Sequence, residues 1–155
     1  MSRAFVKDDD GGEGVDDLPD RPISPHPNLV TPEGLAGIEA ELRRLGAAYA
    51  EAQQAGDRLL LMRTARDLRY WTERRATAEL VVPQYGRESI AFGATVTLER
   101  PDGRVVTWRI VGEDEADPSR GTISYVSPLA RALAGKSVGD RVAVAGGDAE
   151  IVAID

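Results

Sequence analysis

The feature that most constrains this fold is a change in the spacing of apolar residues near Pro83. Before that point, apolar side chains recur every three or four residues, which is the spacing of amphipathic helices. After it, apolar and polar residues alternate in short segments separated by turns, which is typical of β-strands. Because the two patterns occupy separate parts of the chain, the sequence predicts an α+β protein.

The first helix is predicted to begin at Thr31. Threonine is a favourable N-cap, Pro32 suits the first helical position, and Glu33 lies near the positive end of the helix dipole. Gly56 and Asp57 provide a stop and a turn. The apolar residues between them follow heptad spacing and are Leu35, Ile38, Leu42, Leu45, Tyr49 and Ala52.

A second helix is predicted from about Leu59 to Leu80. Two such helices with a short connection predict an antiparallel helical hairpin, packed as a coiled coil. The alternative is packing within a larger bundle, although the sequence offers no third helix to complete its core. The expected inner face of the second helix consists of Leu61, Ala65, Leu68, Thr72, Ala76 and Leu80.

Residues 83–155 are predicted to form a small antiparallel sheet domain with one short helix. Ser127 and Pro128 are expected to cap and open that helix over residues 129–134, and Gly135 is expected to end it. The predicted strands cover residues 89–93, 95–98, 105–111, 122–125, 141–144 and 150–154.

Residues 1–30 are predicted to be a disordered leader. Residues 1–20 contain seven acids against two bases, and such a segment cannot bury enough apolar surface to offset the entropy of ordering. The leader is interpreted either as a solvated tail or as an acidic arm that binds a basic partner surface. The predicted domains are therefore the leader 1–30, the hairpin 31–82 and the sheet domain 83–155.

The composition excludes several classes of protein. The chain has no cysteine and one histidine, His26, which excludes disulfides and thiolate metal sites and argues against a histidine zinc site or a Ser–His–Asp triad. A net charge of −7 without a strongly basic segment argues against autonomous nucleic-acid binding. Since neither a membrane span nor a signal peptide is recognisable, a cytoplasmic protein is expected.

Short motifs follow one another in a fixed order along residues 29–154. They are LVTPEGL at 29–35, ELRRL at 41–45, FGATVTL at 92–98, VGEDEAD at 111–117, ISYVSPLARAL at 123–133 and VGD at 138–140. In this order they resemble the Gre family (GreA/GreB-like) of bacterial transcription elongation factors. The resemblance implies a coiled-coil hairpin and a C-terminal domain with an FKBP-like fold. It also implies a protein that is not an enzyme and at most stimulates the RNA-cleavage activity of RNA polymerase.

The resemblance further implies how the chain binds its partner. In the family, the C-terminal domain docks at the rim of the secondary channel of RNA polymerase, and the hairpin projects down the channel toward the active site. From the residues alone, 127–130 are explained by helix capping and packing. The acidic loop (residues 113–117) is explained either as a solvated loop or as a contact with a basic polymerase surface. The residues for which the resemblance implies docking are Ser127, Pro128, Leu129, Ala130, Glu113 and Asp114.

The tip of the predicted hairpin departs from the family pattern, which is Gly-Asp-x-x-Glu-Asn. In the family, tip carboxylates help to hold a second Mg²⁺ and a water in the polymerase active centre, where two metals promote cleavage of backtracked RNA. Here Asp57 matches the first acid and is followed by Arg58, whereas Leu60 and Leu61 replace the second acid and the asparagine. Both arms also look about two helical turns shorter than those of the family.

Two interpretations of the tip remain open. Asp57 is either a turn residue or a tip acid that shares Mg²⁺ with the polymerase, and no cofactor of the chain's own is expected. Residues 59–62 are either a hydrophobic closure of the hairpin or an exposed apolar contact patch.

Three functions follow from these observations. The first is a regulator that binds the polymerase secondary channel and stimulates transcript cleavage poorly, because the docking motif is present and the tip is degraded. The second is an orthodox cleavage-stimulating elongation factor. The third is an FKBP-like prolyl isomerase, although only 5% of the residues are aromatic. The expected partner is RNA polymerase, with nucleic acid contacted only within the transcription complex, no membrane contact, and a monomeric chain.

Overall fold

A computed structural model describes residues 18–155. The predicted α+β class is confirmed, since a helical hairpin precedes a small sheet domain with one short helix. A single 3-10 turn, Pro118–Arg120, lies between the fourth and fifth strands. In chain order the elements are β1 (Leu29–Val30), α1 (Pro32–Ala55), α2 (Arg58–Thr77), β2 (Glu79–Leu80), β3 (Thr95–Glu99), β4 (Val105–Val111), β5 (Thr122–Ser124), α3 (Pro128–Leu133), β6 (Arg141–Val144) and β7 (Gly147–Ile154).

The described chain divides into two compact units, and each helix of the hairpin crosses from one to the other. The distal unit contains Ala40–Glu73, which is most of the hairpin, together with residues 18–23. The other unit contains Ser24–Glu39 and Arg74–Asp155. The base of the hairpin therefore belongs to the same unit as the sheet domain.

Helix α1 begins and ends as the sequence predicts. The Thr31 side chain accepts a hydrogen bond from the Gly34 amide at 3.0 Å, which caps the first turn. At the other end, Gly56 adopts a φ of 66°, a conformation that glycine reaches without steric cost. The predicted apolar face is confirmed, because its six residues are all buried or half-buried.

Helix α2 differs from the prediction in length. It ends at Thr77 rather than near Leu80, because Glu79 and Leu80 leave the helix and pair as a parallel strand with Leu29 and Val30. The prediction followed apolar spacing alone, and that spacing continues into β2 by coincidence.

The buried face of α2 also differs from the predicted one. Ala65 is half-buried, as predicted, but the neighbouring Thr64 is buried more deeply. The Thr64 hydroxyl donates to the Leu60 carbonyl at 2.7 Å, which satisfies the polar group inside the hairpin. Trp71 is half-buried, whereas the predicted Thr72 is exposed, because the indole has far more apolar surface to remove from water. Nearer the sheet domain, the predicted Ala76 and Leu80 are also exposed.

The sheet has the strand order β5-β4-β3-β7-β6. Its pairs are antiparallel, as predicted, with the exception of β4 and β5, which run parallel. The sheet is therefore mixed, because residues 112–121 cross over through the acidic loop and return β5 in the direction of β4. The strand predicted at residues 89–93 is reduced to a single bridge between Ser89 and Ser137.

Helix α3 packs on the sheet and closes the core of this domain. Ala130 and Leu133 are 2% and 0% exposed and face the core, whereas Pro128 and Arg131 of the same helix are exposed. This placement holds the predicted docking residues at the edge of the core. The buried apolar residues of the core are Ile90, Val96, Leu98, Ile110, Ile123, Ala130, Leu133, Val142, Ala149 and Ile151.

The predicted leader falls mainly on residues 1–17, which lie outside the described residues. Its last part is described and makes specific contacts with α2. The Arg21 guanidinium lies 3.9 Å from the centre of the Tyr70 ring and 5.9 Å from that of Trp71, and it pairs with Asp67 at 3.5 Å. Asp20 accepts a hydrogen bond from Arg69. Residues 18–23 therefore form part of the distal unit.

We predict that Arg21→Ala lowers the free energy of unfolding by about 1 kcal/mol, since it removes a partly exposed cation–π contact and a weak ion pair. Thermal unfolding with and without the substitution measures this effect. Arg43→Ala, at an exposed position of α1, is the control and is expected to change stability by less than about 0.5 kcal/mol. Equal effects of the two substitutions would contradict the importance of the Arg21 contacts.

Candidate functional site

The loop between β5 and α3 is organised by Ser127. Its backbone is extended, with φ −64° and ψ 152°, and its side chain accepts a hydrogen bond from the Ala130 amide at 3.3 Å. Pro128 occupies the first helical position, where the missing N–H costs nothing. The capping role predicted for Ser127 and Pro128 is confirmed.

The four residues expected to dock at this loop have very different exposure. Pro128 is exposed, Ser127 and Leu129 are half-buried, and Ala130 is 2% exposed. A partner can therefore touch Pro128 and the outer sides of its two neighbours, while Ala130 contributes by packing α3 onto the sheet.

An apolar groove lies beside α3. Its volume is about 200 Å³, and Leu129 forms one of its walls. The groove places mainly apolar surface next to the exposed Pro128 of α3, and Arg100 also lines it. Its other apolar walls are Leu98, Val106, Trp108, Ala143, Val144, Ala145 and Ala149.

The acidic loop does not extend freely into solvent. Glu113 and Asp114 are half-buried, and Asp114 Oδ2 accepts a hydrogen bond from Arg74 Nε at 2.5 Å. Arg74 Nη2 lies 3.9 Å from Glu113 Oε2, and the Arg74 side chain is 2% exposed. Ser24 donates to the other Glu113 oxygen at 3.0 Å. The solvated-loop interpretation of these two acids is therefore wrong, because they neutralise a buried arginine of α2.

Glu115, the next acid of the loop, binds the start of α1 through hydrogen bonds. Its carboxylate accepts hydrogen bonds from the Thr31 amide at 3.2 Å and from the Thr31 hydroxyl. It also accepts from the Gly112 amide at 3.3 Å. A Cβ added at Gly34 would lie 2.0 Å from Glu115 Oε2, so a glycine is needed for the carboxylate to approach the helix this closely.

The first turn of α1 also forms an ion pair with the sheet domain. Arg109 of β4 donates to Glu33 Oε2 at 3.2 Å. The pKa of Glu33 is lowered, first by a hydrogen bond from its own backbone N–H and further by the Arg109 guanidinium, and partial burial opposes the shift. The charged form of Glu33 is therefore favoured at the positive end of α1.

Tyr125 joins the same region from the end of β5. Its hydroxyl donates to the Pro27 carbonyl, and its ring packs edge-on against Phe92 at 5.7 Å between centroids. Burial raises the pKa of Tyr125, and the negative charge of Glu113 raises it further.

We predict that Tyr125 ionises above the usual range for tyrosine. A folded-state pKa above the unfolded value means that the stability from this group is fully present below about pH 10 and is lost as the pH rises through the folded-state pKa. The phenolate difference spectrum of the native protein, compared with that of Tyr125→Phe, isolates this group. A Tyr125 titration at or below the model-peptide value would contradict the prediction.

The tip of the hairpin uses Asp57 as a helix cap. Asp57 Oδ1 accepts a hydrogen bond from the Leu60 amide at 3.1 Å, and the Asp57 carbonyl accepts from Leu61 at 3.0 Å. The side chain is exposed, as are those of Arg58, Leu59 and Leu60. The interpretation of Asp57 as a turn residue thus has a defined structural basis.

The apolar residues of the tip are only partly buried. Leu59 and Leu60 are 53% and 40% exposed, whereas Leu61 and Met62 are half-buried. Both interpretations of residues 59–62 therefore hold in part: two side chains close the hairpin and two form an exposed apolar patch. Across residues 18–155, the structure contains no group of three or more histidine, cysteine, aspartate or glutamate side chains arranged to hold a metal ion.

Arg74 is the functional residue that the sequence analysis missed. In the sequence it is one of several arginines of the second predicted helix, and the local spacing assigns it no particular partner. The available signal was the pair of acids at 113 and 114, which the family resemblance assigned to a partner instead.

In the described part of the chain, no helix is both long enough and apolar enough to cross a membrane.

The comparisons with known proteins agree on one family. The model described as "Transcription elongation factor, GreA/GreB, C-term" matches residues 86–155. Transcription elongation factor GreA of Ruegeria pomeroyi is 37% identical over 134 residues, which cover 74% of this chain and 86% of that protein. GreB of Neisseria meningitidis serogroup B is 35% identical over 135 residues, covering 74% and 83%. Among solved structures, GreA factor homolog 1 (Gfh1) of Thermus thermophilus matches with a TM-score of 0.41 and 21% identity, covering 84% and 99%.

A helical hairpin joined to an FKBP-like domain is the architecture that the resemblance to the Gre family implies. The identity to GreA over most of both sequences shows that the chain belongs to the GreA/GreB family of transcription elongation factors. Its partner is accordingly RNA polymerase, and it is a regulator rather than an enzyme. The prolyl-isomerase interpretation is not retained.

Proposed function

We propose that this elongation factor binds RNA polymerase through its sheet domain, places its hairpin in the secondary channel, and stimulates transcript cleavage poorly. It acts as a monomer and restrains or competes with cleavage-active factors that use the same channel. The single observation that supports this most directly is the chemistry of the tip, where exposed leucines follow the one acid.

The surface proposed for docking is the first turn of α3 with the adjacent groove. Pro128 is exposed and Leu129 borders about 200 Å³ of apolar space, so a partner side chain can be buried there without moving the core. The Ser127 cap keeps this turn in place in the free protein, which lowers the entropy cost of binding.

The tip is poorly suited to recruit Mg²⁺. Magnesium prefers several hard oxygen ligands in a nearly octahedral arrangement. At the tip, one oxygen of Asp57 already accepts the Leu60 amide, and the positions that follow carry an exposed arginine and two exposed leucines. A single carboxylate beside a guanidinium neither concentrates a divalent cation nor orients an attacking water efficiently.

Two assays on purified RNA polymerase test the proposal together. In the first, the protein is titrated against core polymerase, and binding is expected to weaken when Pro128→Ala is combined with Leu129→Asp. In the second, backtracked elongation complexes are incubated with the protein, and little release of short 3′ RNA fragments is expected. When a cleavage-active GreA is also present, excess of this protein is expected to slow its cleavage by competition.

Three results would overturn the proposal. An absence of binding to core polymerase would remove its basis. Binding that is unaffected by the double substitution would place docking elsewhere. Strong stimulation of cleavage that Asp57→Ala abolishes would instead establish an orthodox cleavage-stimulating factor with one sufficient tip acid.

A further inference from the structure

Both helices of the hairpin are fixed at their base by consecutive residues of the acidic loop. Glu115 holds the start of α1 through the amide and hydroxyl of Thr31. Asp114 holds the end of α2 through Arg74, with Glu113 beside it. One short loop of the sheet domain thus contacts both arms where they enter the hairpin.

We propose that Glu113, Asp114 and Glu115 are positioning residues that hold the base of the hairpin on the sheet domain. They act through Arg74 and Thr31, and not as contacts with the polymerase. The inference concerns the same protein–polymerase complex as the proposed function, and its functional part depends on that proposal. Its structural part stands independently, since it concerns the free chain.

Burial supports a positioning role over a docking role. The Arg74 side chain is 2% exposed, and the Asp114 and Glu113 side chains are 13% and 22% exposed. A carboxylate that already neutralises a buried guanidinium leaves that charge unpaired if it turns outward to a new partner, and the cost of that change is large. A partner would therefore gain little from contacting Asp114.

The backbone beside the acidic loop is also closely packed against β1 and the segment before it. The Asn28 side chain donates to the Arg74 carbonyl at 2.7 Å, so the segment before β1 is tied to the residue that the acids neutralise. A Cβ at Gly112 would lie 2.3 Å from the Leu29 carbonyl oxygen. Such an approach leaves no room for another side chain, and it keeps the acidic loop directly against β1.

The parallel pairing of β1 with β2 completes the base. Leu29 pairs with Glu79, and Val30 pairs with Leu80, so the chain is bridged where it enters α1 and where it leaves α2. A two-residue strand pair is weak alone. The charged contacts of the acidic loop are therefore needed to keep the ends of the two helices in one arrangement.

The first test concerns the free protein and does not involve polymerase. In Asp114→Asn and in Glu115→Gln, amide hydrogen exchange is expected to accelerate at least about tenfold in residues 33–39 and 74–77, since each substitution weakens a charge-assisted contact at the base. Exchange at Val96 and Leu98 in the middle of the sheet is expected to be unchanged, which shows that the domain remains folded. Glu88→Gln, at an exposed acid of the same domain, is the matched control.

The second test uses RNA polymerase and a photoreactive residue at position 59 of the tip. If the acids position the hairpin, Asp114→Asn changes affinity for core polymerase by less than about threefold, while the tip crosslinks become spread over more sites. In an Arg74→Gln background, Asp114→Asn is expected to add little further change, because its effect passes through Arg74.

The outcomes separate this inference from the proposed function. If Asp114→Asn weakens polymerase binding strongly, equally in both Arg74 backgrounds, and leaves hydrogen exchange unchanged, Asp114 is a polymerase contact and the inference is wrong. If the unsubstituted protein fails to bind polymerase, the proposed function is lost. In that case, accelerated hydrogen exchange at the hairpin base in Asp114→Asn and Glu115→Gln still supports the positioning role in the free protein. Unchanged hydrogen exchange overturns that role.

Discussion

Replacing Arg74 with alanine is expected to lower the free energy of unfolding by about 3–5 kcal/mol, as for other buried ion pairs that lose one partner. The guanidinium is 2% exposed and pairs with Asp114 at 2.5 Å. Its removal leaves two carboxylates, at 113 and 114, facing a space from which water is largely excluded. Since whole domains are stable by only about 5–15 kcal/mol, the substitution removes a large part of the total.

Chemical denaturation of the purified variants measures this loss. The neighbouring Arg75 provides a matched control, because its side chain is 47% exposed and forms a surface pair with Glu39. Arg75→Ala is expected to cost less than about 1 kcal/mol. The double variant Arg74→Met, Asp114→Asn is expected to recover part of the loss, because it also removes the carboxylate charge that Arg74 neutralises in the native protein. A cost for Arg74→Ala no greater than that for Arg75→Ala would contradict the importance of the buried network.

The largest functional effect is expected from Leu60→Glu. The substitution places a second carboxylate on the exposed first turn of α2, three residues after Asp57. Two carboxylates at the tip supply more of the oxygen ligands that Mg²⁺ requires. Cleavage of backtracked RNA by the polymerase is expected to accelerate at least about tenfold, which corresponds to about 1.4 kcal/mol in activation free energy.

The local structure accommodates this change. Leu60 is 40% exposed, so the carboxylate of a glutamate at this position can reach solvent. A glutamate at the third position of a helix capped by aspartate is also favourable, because the acid lies near the positive end of the helix dipole. The hairpin is therefore expected to keep its stability, and circular dichroism and thermal unfolding check this directly.

The controls separate charge from shape. Glutamine has nearly the same size as glutamate but no charge. Leu60→Gln is therefore expected to leave cleavage at the level of the unsubstituted protein. Leu60→Glu combined with Asp57→Ala is expected to lose the gain, since one acid again remains. An equal gain from Leu60→Gln, or no gain from Leu60→Glu in a protein that binds polymerase normally, would show that the missing acid does not limit cleavage.

The architecture was largely predictable from local sequence. The bounds of α1 follow from strong local signals: a capping threonine before proline at one end and a glycine at the other. The short helix α3 was predicted within one residue for the same reason, because Ser127 and Pro128 act within a single turn. Such interactions join residues close in sequence, so their energies hardly depend on the rest of the fold.

The errors occurred where a distant partner decides the outcome. Helix α2 stops at Thr77 because Leu80 pairs with Val30 of β1, which is fifty residues earlier in the chain. Thr64 is buried because of the hairpin partner, and its hydroxyl bonds to its own helix. Strand β5 runs parallel to β4 because the acidic loop crosses over between them. Local spacing contains no information about these choices.

The sequence by itself determined the family, the α+β class, the caps of the helices and the loss of the second tip acid, because each depends on residue identity at nearby positions. The tertiary structure alone decided what the acidic loop does. Its carboxylates look the same in sequence whether they face solvent, a polymerase or a buried arginine. Only the fold brings Arg74 and Thr31 within hydrogen-bonding distance of Asp114 and Glu115. The cost of leaving the buried charge of Arg74 unpaired then keeps Asp114 on that arginine.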